Sequence, residues 1–205
     1  GLIEPRSSAT LADFIDAYVA GRTDLKPSTI IKYKSTTDYL VNFLGADKPL
    51  REITPGDADD WRIHLISNGL GENSIRKYSQ IAKQFFKAAQ RKKLIDANPF
   101  ADLKSATLAN PALFYFVTRQ EAEAVLDACP DAQWRLIFAL CRFGGLRCPS
   151  EHLALTWDDI DWERNRITVR SPKTEHHLGR GVRTVPLFPE LKPLLLDALV
   201  EAAPD

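Results

Sequence analysis

Three groups of side chains in this 205-residue chain could do chemistry. The first is cationic. From Arg76 to Lys93 the chain holds Arg76, Lys77, Lys83, Lys87, Arg91, Lys92 and Lys93 with no acid among them, and from Arg164 to Arg183 six cations are set against Glu175. Two such stretches could meet one polyanion, because binding of that kind responds to local patches of charge rather than to the sum. The second is Arg147, which emerges just past Gly144-Gly145 at the end of the most apolar predicted helix. Arginine stays charged and presents a fork to two phosphate oxygens. The third is a set of thiols and imidazoles. Cys129, Cys141 and Cys148 are odd in number, and their spacing matches neither a disulfide framework nor a CxxC zinc pair, so they read as reduced. Cys148 reads as a packing residue rather than a nucleophile, because no histidine stands at a convincing partner position. His176-His177 beside Glu175 superficially resembles a metal cluster, but this Gly-flanked loop offers no third anchored ligand, and no metal is expected.

These residues need elements to position them. A chain 44% apolar, 26% charged and 9% aromatic is expected to be soluble and globular, which excludes disorder, coiled coil and collagen. No run approaches the roughly 18 apolar residues of a membrane span, and the first residues lack a secretory pattern, so an intracellular chain is expected. The 27 basic residues balance 27 acidic ones, but unevenly: residues 1–105 carry 16 cations and 13 acids, and residues 106–205 carry 11 and 14. Methionine is absent even at position 1, and the expectation is a trimmed or excised chain.

Four helices are predicted in the first half from their start and stop signals. Thr10 caps one that Gly21 stops, Ser28 caps a second that runs to Gly45, and Thr54-Pro55 starts a third that ends at Asn68-Gly69. Asn73 opens the fourth, which runs to about Lys93, with Tyr78, Ile81, Ala82, Phe85 and Ala89 on one face and Arg76, Lys83, Lys87 and Arg91 on the other. Asn73 and Ser74 with Arg76 and Lys77, and likewise Lys26, Ser28, Thr29 and Lys32, put small polar groups, free N–H groups and cations at helix starts, which suits phosphate. Asn98-Pro99 should end the first domain, with 101–112 a mobile linker. Beyond it, 114–117 predicts a strand and Thr118 to Glu121 a capping box. Trp134 to Phe143 predicts a buried helix, Pro149 a short helix, and 157–162, 166–170 and 183–187 strands, before a last helix over 189–202.

The run Gly144-Gly-Leu-Arg147-Cys-Pro-Ser-Glu151-His-Leu-Ala-Leu-Thr-Trp157-Asp-Asp-Ile-Asp161, followed by Lys173-Thr174 and then Arg183-Thr-Val-Pro186-Leu187, resembles the tyrosine recombinase (phage integrase) family. The resemblance covers nearly the whole chain. It implies a mainly α protein with a small antiparallel β-sheet: a four-helix SAM-like core-binding domain over 1–100, the linker over 101–112, and the N-terminal part of an α+β catalytic domain over 113–205. Family members cleave one DNA strand with a tyrosine hydroxyl and hold the end as a 3′-phosphotyrosyl link. No metal, nucleotide cofactor or small-molecule substrate is implied. Arg147 becomes the first phosphate-binding arginine, Glu151 its support, and Lys173 the donor of a proton to the 5′ leaving oxygen. The DNA contacts expected are Lys26, Ser28, Thr29, Lys32, Asn73, Ser74, Arg76, Lys77, Lys83, Arg180 and Arg183. The partners implied are double-stranded DNA and further recombinase protomers, with no membrane, in the bacterial cytoplasm or nucleoid.

Two departures stand out. The common family pattern puts the acid three residues after the arginine, whereas Glu151 is four after Arg147 with Pro149 intervening. The family's later His-x-x-Arg box and its following tyrosine have no counterpart, since Tyr18, Tyr33, Tyr39, Tyr78 and Tyr115 all precede Arg147. The expectation is therefore a recombinase fragment that binds DNA and is inactive alone. The alternatives are a non-catalytic DNA-binding regulator on the same fold, and a helical protein-interaction module indifferent to salt.

Overall fold

The computed structural model describes residues 9–173, 175, 179 and 181–202, and divides by its internal contacts into two compact units, Gly1–Pro111 and Ala112–Asp205. The first is helical: α1 (Leu11–Ala20), α2 (Pro27–Leu44), α3 (Pro55–Ser67) and α4 (Glu72–Arg91). Thr10 caps α1, accepting a hydrogen bond from the Asp13 N–H, and Thr54 with Asp57 forms a reciprocal capping box on α3. The second helix departs from expectation, because Pro27 at its first turn starts it one residue before Ser28, with Lys26 at the cap position. Similarly α4 starts at Glu72 after Gly71, not at Asn73.

Aromatic contacts fix the packing of α2 on α4. Tyr33 meets Phe85 edge-on with ring centroids 5.2 Å apart, and Tyr39 meets Tyr78 at 5.0 Å. Rising numbers on α2 thus pair with falling numbers on α4, so the two helices are antiparallel. Trp61 is fully buried and its indole N–H donates to the Tyr39 carbonyl. Phe100 closes this core, stacked on Phe86 at 4.6 Å and edge-on to Trp61 at 5.5 Å. Asn98 orients it, donating to the Lys83 carbonyl and accepting from the Phe100 N–H.

The stretch expected to be a mobile linker is fastened to α4. Leu103 is buried in the first core, the Asn73 side chain exchanges two 2.9 Å hydrogen bonds with the Leu108 backbone, and Arg76 donates to the Ala106 carbonyl at 2.7 Å.

The second unit holds α5 (Arg119–Ala128), α6 (Ala132–Arg142), α7 (Leu191–Ala202) and an antiparallel sheet of β1 (Ile160–Asp161), β2 (Arg166–Arg170) and β3 (Val182–Pro186) in that order. The register pairs Ile160 with Ile167 and Val169 with Arg183. Alternation along β2 buries Ile167 and Val169 against Leu140, Leu146, Leu191 and Leu195. Four expectations fail here. Residues 114–117 form no strand, and Phe114, Tyr115 and Phe116 are exposed. Trp134 on α6 is exposed, and Pro149 begins a series of turns rather than a helix. Residues 157–159 form a short 3-10 turn, leaving only two residues of strand in β1. The capping box at Thr118 and the strand over 166–170 stand where expected. No helix among the described residues is long and apolar enough to cross a membrane.

Asn73→Ala removes both bonds to Leu108, so limited trypsin digestion at Lys104 should speed up several-fold while the helical circular dichroism is unchanged. Unaltered cleavage would show that this pairing does not hold the segment.

Candidate phosphate site and nucleic-acid interface

The site in the second unit is built around a buried acid. After α6 the backbone reverses at Gly144-Gly145. A Cβ on Gly144 would lie 2.8 Å from the Leu140 carbonyl oxygen and 2.9 Å from a Leu146 methyl, and Gly145 takes a left-handed φ of 63°. This turn delivers Arg147. A second turn, closed by the Glu151 N–H on the Arg147 carbonyl at 2.9 Å, returns the chain so that the Glu151 carboxylate comes back to Arg147.

The Glu151 side chain has no exposed surface and is met by four donors. Oε1 accepts from Arg147 Nη1 at 2.6 Å and from the Ser171 hydroxyl at 2.8 Å. Oε2 accepts from the Arg147 N–H at 2.9 Å and from Arg183 Nη1 at 2.8 Å. That matches the four lone-pair positions of a carboxylate. Burial alone would raise its pKa, but the Arg147 N–H, Arg183, Ser171 and the Arg147 guanidinium outweigh it and hold it at about 2, below the usual 4.5.

Arg183 also donates to Ser171 at 3.2 Å and to the Gly145 carbonyl at 2.8 Å, so β3 is tied to the glycine turn. The two guanidiniums are partly exposed, 47% for Arg147 and 35% for Arg183. Both line an open cleft of about 540 Å³ with Gly144, Gly145, Ser171 and Val182. Glu151 orients them from behind, and their remaining N–H donors are available to an anion in the cleft. Arg183, expected only as a DNA contact, thus shares the acid of Arg147. Its pairing across 32 residues leaves no local spacing signal.

Lys173 is exposed just beyond Ser171, and among the described residues it is not drawn into the Glu151 cluster. Arg180, His176 and His177 lie outside the described residues. The basic stretch they belong to is not a free cationic strip. Arg170 pairs with buried Asp159 at 2.6 Å, Arg164 with Asp161 at 3.3 Å, and Arg183 with Glu151. Asp159 also caps the turn at Thr156, and its hydrogen bond from Arg170 holds its pKa down. Asp159 and Asp161 of the Trp157-to-Asp161 run are therefore structural acids.

In the first unit, α2 and α4 begin without a side-chain cap, whereas α1, α3, α5 and α6 are capped by Thr10, Thr54, Thr118 and Asp131. Lys26, Ser28, Lys32, Asn73, Ser74 and Lys77 are exposed at or near the uncapped starts, and Thr29 and Lys83 are partly buried. Two expected DNA contacts have other partners: Asn73 holds Leu108, and Arg76, only 12% exposed, is paired with Glu72 at 2.6 Å. Because α2 and α4 are antiparallel, their starts lie at opposite ends of the pair, about 27–30 Å apart for helices of this length. The start of α2 adjoins the end of α4, where Lys87, Arg91 and Lys92 line a cleft of about 560 Å³ with Tyr18, Tyr33 and Arg22 of the neighbouring elements. Among the described residues no ion pair neutralises Lys77, Lys83, Lys87, Arg91, Lys92 or Lys93.

The described residues thus present a helical unit with a cationic helix and an α+β unit with an acid-braced arginine pair. Residues 10–107 match the phage integrase SAM-like domain. The chain is 25% identical over 195 residues to the ICEBs1 integrase of Bacillus subtilis (strain 168), covering 84% of this chain and 51% of that protein. It is 28% identical over 176 residues to the transposase from transposon Tn916 of Enterococcus faecalis, covering 74% and 42%. The chain therefore spans about half the length of the curated relatives it matches. Its fold matches the Tn1549 transposon integrase in complex with a circular intermediate DNA (TM-score 0.75, 20% identity, 96% of this chain and 67% of that one). It also matches a lambda integrase dimer bound to a COC′ core site (TM-score 0.76, 22% identity, 98% and 57%). The first unit therefore carries the phage integrase SAM-like domain, and the curated relatives matched over both units are an integrase and a transposase.

The pH dependence of stability follows from Glu151. Its folded pKa is depressed from 4.5 to about 2, so its contribution is fully present above 4.5 and is lost as pH falls through that window. In urea unfolding, Glu151→Gln should destabilise the protein by about 2–3 kcal/mol at pH 7 and flatten the loss below pH 4.5. An equally steep acid loss in the variant would place the titrating group elsewhere.

Proposed function

We propose that this chain is the DNA-binding part of a site-specific tyrosine recombinase, contributing the helical DNA grip and half of the phosphate-activating site. The observation that carries the reading is the pair of guanidiniums, Arg147 and Arg183, held on one buried carboxylate and lining one cleft. In phosphoryl transfer the charge on the non-bridging oxygens must be neutralised and the leaving oxygen protonated. Arg147 does the first, with Arg183 beside it. Lys173 does the second, its exposed ammonium following β2 into the β2–β3 connection and giving a proton to the 5′ oxygen as the bond from phosphorus to that oxygen breaks. The new bond forms from a tyrosine oxygen to phosphorus, leaving a 3′-phosphotyrosyl link. None of the five tyrosines follows Arg147 in these 205 residues, so this chain by itself binds DNA without forming that link. Further recombinase copies on the same DNA complete the assembly.

In the first unit, Lys77, Lys83, Lys87 and Arg91 project along α4 and Lys26 and Lys32 flank the open start of α2. Their amides and charges meet phosphates, which position the protein on the duplex without reading its sequence.

Fluorescence anisotropy with a labelled duplex tests this. Affinity should fall steeply with salt, and the combined reversal Lys77→Glu, Lys87→Glu, Arg91→Glu should weaken binding at least tenfold and make the log–log salt slope shallower by about 3. Binding indifferent to salt and to these changes would overturn the reading.

A further inference from the structure

Beside the arginine turn lies a cluster that the recombinase reading does not use. The Cys141 and Cys148 thiols and a ring nitrogen of His152 all fall within 4.8 Å of one another. Cys141 sits near the end of α6, while Cys148 and His152 stand on either side of the Pro149-to-Glu151 turn. The sequence spacing hides this grouping, because the reversal at Gly144-Gly145 is what folds position 148 back onto position 141.

The imidazole supplies an independent observation. Both ring nitrogens of His152 are buried, and neither has a hydrogen-bond partner among the described residues. A buried polar atom left in that condition costs about 1–3 kcal/mol, and such an atom calls for an explanation. An imidazole nitrogen facing two thiols is a soft donor set. Thiolate and imidazole together select zinc-like or other thiophilic cations over magnesium or calcium.

We propose that Cys141, Cys148 and His152 form a three-ligand site for a thiophilic divalent cation of the zinc class. Tetrahedral coordination with Zn–S of about 2.3 Å and Zn–N of about 2.0–2.1 Å places donors roughly 3.5 Å apart, so the three close by about 1 Å on binding. Cys148 is exposed, which leaves the fourth position to water. Binding releases the two thiol protons to solvent and changes no oxidation state. The ligands bracket Arg147 and Glu151, so an occupied site ties the end of α6 to both sides of the turn that carries the phosphate-binding arginine. The proposal stands on these three side chains and does not depend on DNA binding.

Cobalt(II) is the probe, added to the reduced, metal-free chain and followed by absorbance. The expected result is one cobalt per chain with a thiolate-to-cobalt charge-transfer band that zinc displaces. Cys148→Ser, at an exposed position that leaves the core untouched, and His152→Gln should each weaken binding at least tenfold. Cys129→Ser, outside the cluster, should leave the band unchanged. Absence of the band in the unaltered chain, its persistence at full affinity in both Cys148→Ser and His152→Gln, or its loss in Cys129→Ser would overturn the assignment.

Discussion

A carboxylate with no exposed surface stays ionised only when donors replace the water it has lost, and Glu151 meets that condition with four of them. The donors come from three separate parts of the second unit: the arginine turn, the end of β2 and strand β3. The acid therefore does two tasks at once. It closes the sheet against the turn after α6, and it aims two guanidiniums into one cleft. Removing it would leave two partly buried cations with a shared partner missing, which is why the arginine geometry depends on it more than on any contact of the arginines with solvent. Ser171 and the Gly145 carbonyl take further donors of Arg183, so its planar fork is held at several points while the rest of it faces the cleft.

The first unit rests on a different constraint, the burial of aromatic rings between antiparallel helices. Trp61, Phe85, Phe86 and Phe100 occupy that core, and Phe100 draws the chain after α4 back across it. With the apolar face of α4 fixed inward, its lysines face outward by periodicity alone. Asn73 and Arg76 were drawn from the same sequence pattern as Lys77 and Lys83, but their side chains fasten residues 106–108 instead.

The capped helices were legible because their signals are local. Thr10, Thr54 and Thr118 each act three residues away, and the stripe on α4 repeats every three or four positions. The order of Arg147, Glu151 and Lys173 was legible as a resemblance. What the sequence concealed was long-range pairing. Arg170 and Arg183 read as part of a basic strip because their partners Asp159 and Glu151, 11 and 32 residues away, lie outside the window that counts charge. Residues 114–117 carry β-forming side chains, yet no neighbouring strand pairs with them among the described residues, and propensity alone makes no ladder. Cys141, Cys148 and His152 meet only because two glycines reverse the chain between the first two.

The central claim is that Arg147 and Arg183 act as one phosphate-binding pair because Glu151 holds both. Arginine side-chain Nε–Hε resonances, followed by NMR while a phosphorothioate-protected duplex is added, test this most directly. The account predicts that the Arg147 and Arg183 signals shift together along one binding curve, and that in Glu151→Gln both lose that common response. A shift of Arg147 alone, with Arg183 unmoved, or an unchanged joint response in Glu151→Gln, would contradict it.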